Sequence, residues 1–176
     1  MTARLAACAL ALFIAGCTTS DTTAPPPTIT ESTTPPSIPI AGDVAQFLDR
    51  ACELLPAEQA TEFGLSGAPV QTRSGDRGLC IWEGDIRLGV QVRPTGDPLA
   101  DAYRRRNTWQ VFTPTAIVGQ PAAIITTSEP GTGCVIVVGT APGQGLDLDL
   151  STTRIDAGWC LHLERIAEAM IKQLRR

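Results

Sequence analysis

Four cysteines, Cys52, Cys80, Cys134 and Cys160, constrain this chain most, because they lie in a segment that an export signal carries out of the cytoplasm. The signal is short and readable. Arg4 and the initiator amine form a sparse positive start, and an apolar run from Leu5 to Ile14 ends in small residues at Ala15 and Gly16. Of the six cysteines, Cys8 leaves with this leader and Cys17 stands at its border. An even number remaining in an exported domain predicts two disulfides rather than free thiols. Four cysteines allow three pairings. Cys52 with Cys80 and Cys134 with Cys160 are favoured, since each pair then joins a helix to a neighbouring strand. In the chain-entropy description such loops contribute roughly 3 to 4 kcal/mol each. The long spacings and the lack of a CxxC pair argue against zinc, so neither metal nor cofactor is expected.

Ile14-Ala15-Gly16-Cys17 looks like a bacterial lipobox, with an aliphatic residue, two small residues and then the cysteine whose thiol takes a diacylglycerol. Residues 1–16 then form a lipoprotein signal peptide, and Cys17 is the lipidation site. Two acyl chains suffice for stable anchoring, at about 0.8 kcal/mol per buried CH₂. The expected address is the extracytoplasmic side of the cell membrane. From Thr18 to Gly42, Thr, Ser and Pro supply 17 of 25 residues, which cannot bury enough apolar area to fold. Residues 17–42 therefore read as the lipidated cysteine and an extended tether, up to roughly 75 Å long at polyproline-II rise. Their Ser/Thr-Pro composition also resembles O-glycosylated stalks.

Residues 43–176 remain for one globular domain. With 14 Lys plus Arg against 18 Asp plus Glu, the chain is acidic, which argues against a nucleic-acid partner. Asp43 and Gln46 suggest a capping box. Val44, Phe47, Leu48, Ala51, Leu54 and Leu55 follow at helical spacing, predicting an amphipathic helix. Pro56 opens a second short helix through Phe63, closed by Gly64. Two strands, Leu79 to Glu83 and Ile86 to Val92, flank a Gly84-Asp85 hairpin turn. In the second strand, Ile86, Leu88, Val90 and Val92 alternate with Arg87, Gln91 and Arg93, so one side of the sheet is wet.

A short helix runs from Pro98 to Arg106, and a strand at Gln110 to Thr113 is the reading of an ambiguous stretch. Strands at Ala122 to Thr127, Cys134 to Thr140 and Gly145 to Leu150 follow, with turns at Glu129-Pro130-Gly131 and Pro142-Gly143. Val135 to Val138 reads as a central strand. The chain closes with a helix carrying Trp159, Leu163, Ile166, Ala167, Met170, Ile171 and Leu174 on one face, with Asp156 as its expected N-cap. The expected fold is α+β: an antiparallel sheet of about five or six strands, covered on one face by N-terminal and C-terminal helices, with two disulfides.

Few residues carry a chemical signal. Tyr103, Arg104, Arg105, Arg106 and Trp109 form the candidate binding set, since guanidinium groups beside aromatics can engage phosphate or carboxylate groups of envelope lipids or polymers. A cationic helix end complementing its dipole gives the same run. Asp147 and Asp149 share a strand face, as paired carboxylates for a cation or proton would, and equally as the wet face of a strand. His162 is the one histidine, and Ser66 is not in a nucleophile elbow, so no catalytic residue is assigned. Trp82 and Trp159 are expected to pack around the cysteines beside them.

Together these motifs resemble a known family. The lipobox, the Thr/Pro tether, Cys52-Glu53-Leu54-Leu55, Cys80-Ile81-Trp82, Gly119-Gln120-Pro121-Ala122, Cys134-Val135-Ile136-Val137-Val138-Gly139 and Cys160 are similar in order and spacing to an actinobacterial lipoprotein family known as domain of unknown function 3558. The resemblance implies an exported, lipid-anchored envelope protein and carries no catalytic residues. The expected activity is a non-catalytic binding module for an envelope protein, polymer or lipid. The alternatives are a carrier with an apolar cavity between sheet and helices, and an enzyme whose residues are not identified.

Overall fold

Alternation along β3 and β7 sets the architecture. Leu88, Val90 and Val92 on β3 (Ile86–Arg93) and Leu146, Leu148 and Leu150 on β7 (Gln144–Thr152) all point to one side and are buried. Successive strand residues face opposite sides, so the intervening Arg87, Gln91, Arg93, Asp147 and Asp149 share the other side. The computed structural model describes residues 34–126, 133–153 and 158–176. The chain divides into two units, Met1–Glu31, which lies outside the described residues, and Ser32–Arg176.

Among the described residues, seven strands form one antiparallel sheet in the order β1-β2-β3-β7-β6-β5-β4. The others are β1 (Val70–Ser74), β2 (Arg77–Trp82), β4 (Val111–Ile117), β5 (Gln120–Thr126) and β6 (Gly133–Ala141). β6 and β7 lie in the interior of the sheet, as the Val135–Val138 run predicts. One strand escapes the sequence reading and another, expected at Gln110 to Thr113, runs longer than expected, both for identifiable reasons. All five residues of β1 are exposed, so it carries no alternation to detect. β4 extends through Pro114 because it is an edge strand, where the missing N–H breaks no ladder bond. The β2–β3 connection is also wider than a two-residue turn, since the ladder between them ends at Trp82↔Leu88.

The expected helix over residues 43–55 is instead two 3₁₀ turns, Val44–Phe47 and Ala51–Leu54. Asp43 accepts a hydrogen bond from the Ala45 N–H at 2.9 Å and caps the first turn. Tertiary contacts then interrupt the helical path. The Leu48 carbonyl lies so close to β2 that a Cβ at Gly78 would stand 2.3 Å from its oxygen, and Arg50 leaves helical geometry at φ −148° and ψ 39°. Beyond the break, the Cys52 N–H donates to Gln71 Oε1 on β1 and its sulfur is bonded to Cys80 on β2. A short helix is marginal alone, so these anchors decide its shape, while Val44, Phe47, Ala51, Leu54 and Leu55 still bury.

Among the described residues, three α-helices complete the fold: α1 (Ala57–Glu62), α2 (Pro98–Arg104) and α3 (Trp159–Leu174). Gly64 follows α1 at φ +73°, as expected of a closing glycine. The 3₁₀ turns and α3 cover the apolar sheet face with a core of Leu163, Ile166, Ala167, Met170 and Ile171 over Ile136, Val138, Leu146 and Leu148. The second disulfide, Cys134–Cys160, pins β6 to the start of α3. The expected turn at residues 129–131 and the expected cap Asp156 lie outside the described residues.

The opposite sheet face is covered only in part. α2 lies there, and Leu99, Ala102 and Tyr103 form a second, smaller core with Ala123, Ile125 and Val137. Its start is set locally: Pro98 occupies the first turn, and the Asp97 carboxylate accepts from the Ala100 N–H at 3.0 Å. Pro98 also sits on Gly145, where a Cβ would lie 2.6 Å from the proline ring, so glycine admits the helix to the sheet. Ile38 packs against this second core, and the Ala41 N–H donates to the Thr140 carbonyl at 2.8 Å. Folded contacts thus reach into the stretch read as tether.

Candidate functional site

The second face carries charge where the first carries leucine. Arg93 and Asp147 sit diagonally across the β3–β7 ladder, in which Gln91 pairs with Asp147 and Arg93 with Gly145. Arg93 Nη1 donates to Asp147 Oδ2 at 3.3 Å, and Nη2 donates to Asp101 Oδ2 on α2 at 2.9 Å. Only 12% of the Arg93 side chain is exposed, against 25% for Asp147, so this pair works in a far drier setting than a surface salt bridge. Burial pushes the Asp147 carboxyl above its ordinary range despite the arginine beside it. For Arg93, burial alone would lower the pKa, but the hydrogen bond to Asp101 and the Asp147 charge outweigh it and raise it.

A cavity of about 120 Å³ opens beside this pair, lined by Arg93 and Asp147, by Trp109 and Arg105, and by apolar residues of α2, β5 and β6. Three polar atoms of its lining residues have no hydrogen-bond partner among the described residues: Arg93 Nε, Trp109 Nε1 and Asp147 Oδ1. Buried groups left in this state cost about 1 to 3 kcal/mol each, so three around one small cavity mark a place that a ligand would stabilise. A second, shallower groove of about 300 Å³ shares Val135 and Asp147 with it and runs on past Gln91, Gly89, Arg87 and Asp149. Burial raises the Asp149 carboxyl, and Arg87, 4.0 Å away, counters it.

The five-residue candidate set is split by α2. Tyr103 faces inward, 5% exposed, and stacks edge-on against Phe112. Arg104 pairs with Asp101, while Arg105 lies 5.0 Å above the Trp109 ring at the cavity rim. Arg106 falls on the following 3₁₀ turn, Arg106–Thr108. Arg105 and Trp109 therefore belong to the cavity, whereas Tyr103 belongs to the second core. The residues that sequence reasoning missed are Arg93, and Asp147 as its partner. Their signal was a cation and an anion on the same face of two strands, legible only once β3 and β7 are known to be neighbours.

Other sequence features have structural roles. His162 Nε2 lies 3.0 Å from the Phe63 carbonyl, with its ring edge-on to Phe63 and Trp159. Trp82 is buried beside the first disulfide. The loop around Pro142-Gly143 is the β6–β7 turn. Ser66 lines an open hollow with Gly64, Leu65 and Trp82. Leu88, Ile136, Val138, Leu146, Leu148, Leu163 and Ile166 are fully buried between the sheet and α3. Cys17 lies outside the described residues.

A family model described as "Protein of unknown function (DUF3558)" matches residues 12–173. The chain belongs to the DUF3558 family. No curated protein and no solved structure matches it. The cysteine motifs that resemble this family in the sequence fall on the two disulfides and the elements they join, and Gly119-Gln120-Pro121-Ala122 falls on the β4–β5 turn and the start of β5.

Proposed function

We propose that this DUF3558 chain is an exported lipoprotein of an actinobacterial envelope, anchored through Cys17, whose domain is a non-catalytic binding module. The face formed by α2 and the uncovered parts of β3, β7 and β6 is its binding surface. One observation carries this reading: Arg93 Nε, Trp109 Nε1 and Asp147 Oδ1 are unmatched around one cavity, on a face that the fold leaves partly open. Scaffold economy points the same way, since the closed face already holds the larger core and both disulfides. A tether would raise the effective concentration of this face near partners in the envelope.

Two experiments test the proposal. Cys17→Ala is expected to release the protein from the membrane or block its processing; unchanged membrane retention and lipid labelling would remove the anchor. For the binding face, a photo-crosslinking amino acid is placed at Gln91 in the open groove or at Glu168 on α3, in whole cells. Adducts from position 91 and not from 168 are expected, and equal yields from both would remove the assignment of the face.

A further inference from the structure

We propose that the Arg93–Asp147–Trp109 cavity and the groove continuing from it hold a neutral polyhydroxylated chain, that is, a carbohydrate. This rests on the open face being the binding face. Its chemistry narrows the ligand further. Two of the unmatched atoms, Arg93 Nε and Trp109 Nε1, are donors, and the third, Asp147 Oδ1, is an acceptor. A carboxylate or phosphate would satisfy the donors but meet the Asp147 carboxylate; an ammonium group would satisfy Asp147 but meet two N–H groups. Neutral groups that both donate and accept, a hydroxyl or an amide, are the complement of this trio, and the apolar walls with an indole at the rim favour the hydroxyls of a sugar ring.

Shape and charge along the groove agree with that choice. The cavity walls include Pro98, Ala102, Ile125 and Val137, suited to the C–H surface of a sugar ring, and the indole of Trp109 stands at the rim. Further along, Arg87 faces Asp149 at 4.0 Å, so each arginine of the floor has a neighbouring aspartate. Such alternating donors and acceptors suit vicinal hydroxyls; with Arg105 at the rim, cavity and groove carry three arginines against two aspartates, an excess of one that the several charges of a polyanion would outnumber. The groove of about 300 Å³ adds room for more than one ring beyond the small cavity. The three unmatched atoms are themselves covered in the free protein, so, as part of the proposal, the exposed Arg105 side chain shifts off the Trp109 ring to admit a hydroxyl to them.

The test uses the full chain in detergent micelles, labelled with ¹⁵N, and follows the indole N–H resonances of its three tryptophans. The probes are neutral hexasaccharides of glucose, mannose, galactose or xylose units, with inorganic phosphate and a sulfated hexasaccharide as anionic counterparts. A saturable shift of the Trp109 resonance with a neutral hexasaccharide is expected, with Trp82 and Trp159 unmoved. Asp147→Asn should weaken it about tenfold and Trp109→Phe, whose indole resonance is lost and which is read by calorimetry, about fivefold. Silence toward every neutral hexasaccharide, tighter binding of phosphate or the sulfated chain, or binding indifferent to both substitutions would overturn the proposal. Crosslinks at Gln91 that persist alongside such silence would sink the carbohydrate alone; loss of both would sink the binding face as well.

Discussion

The two faces of one sheet are built from the same strands and do different work. Toward α3, β3 and β7 present Leu88, Val90, Leu146, Leu148 and Leu150, all sealed; toward α2, they present Arg87, Arg93, Asp147 and Asp149, with charged and unmatched atoms. Period-two alternation makes this division automatic once one face is apolar. The difference teaches where stability and recognition are separated. The larger hydrophobic core and both cross-links act on the closed face, which lets the other keep charged groups beside its smaller core.

Substitution of all four cysteines by alanine should have the largest effect. The bridged residues are 28 and 26 positions apart, and loops of that size contribute about 3.5 kcal/mol each. Their joint loss approaches the whole stability of an ordinary domain, so urea titration should find the variant largely unfolded. A cooperative transition shifted by less than the effect of one bridge would break the claim that the closed face depends on them. Next, Leu148→Ala should cost about 2 to 5 kcal/mol in the same assay, because its side chain is fully buried.

Changes on the open face should be smaller and of a different kind. The folded Asp147 carboxyl titrates above its unfolded value of 3.8, so its contribution is fully present below that pH and lost as pH rises through the folded value. Asp147→Asn removes this dependence. Its stability relative to the native chain should therefore rise over the pH interval that begins near 3.8 and extends upward, measured by denaturant midpoints. A difference that falls over this interval would mean that the Arg93 pair dominates burial. Smallest of all, Arg87→Ala should shift stability by less than about 0.5 kcal/mol, since its partners Glu83 and Asp149 are both exposed.

Much of the closed face was legible in the sequence, and much of the open face was not. The apolar period of α3 and the runs in β3, β6 and β7 gave the core directly, and cysteine positions gave the pairing. Failures came where tertiary contacts outweigh local pattern. Leu48 pressed onto Gly78 breaks a helix that spacing alone predicts, and β1 pairs through its backbone with no buried side chain to announce it. The site is a harder case. Arg104 and Arg105 are neighbours in sequence but diverge in space, Arg104 to Asp101 and Arg105 onto Trp109, while Arg93 and Asp147 are 54 positions apart and meet only across a ladder.

The division of labour between the faces is tested most directly by carboxyl footprinting with a carbodiimide, on purified full-length protein and on intact cells. Asp149 and Glu168 are both accessible in the free protein, the first on the open face and the second on the outer side of α3. The account predicts that Asp149 loses its labelling in cells while Glu168 keeps it. Equal labelling of Asp149 in both settings, or protection of Glu168 instead, would contradict it.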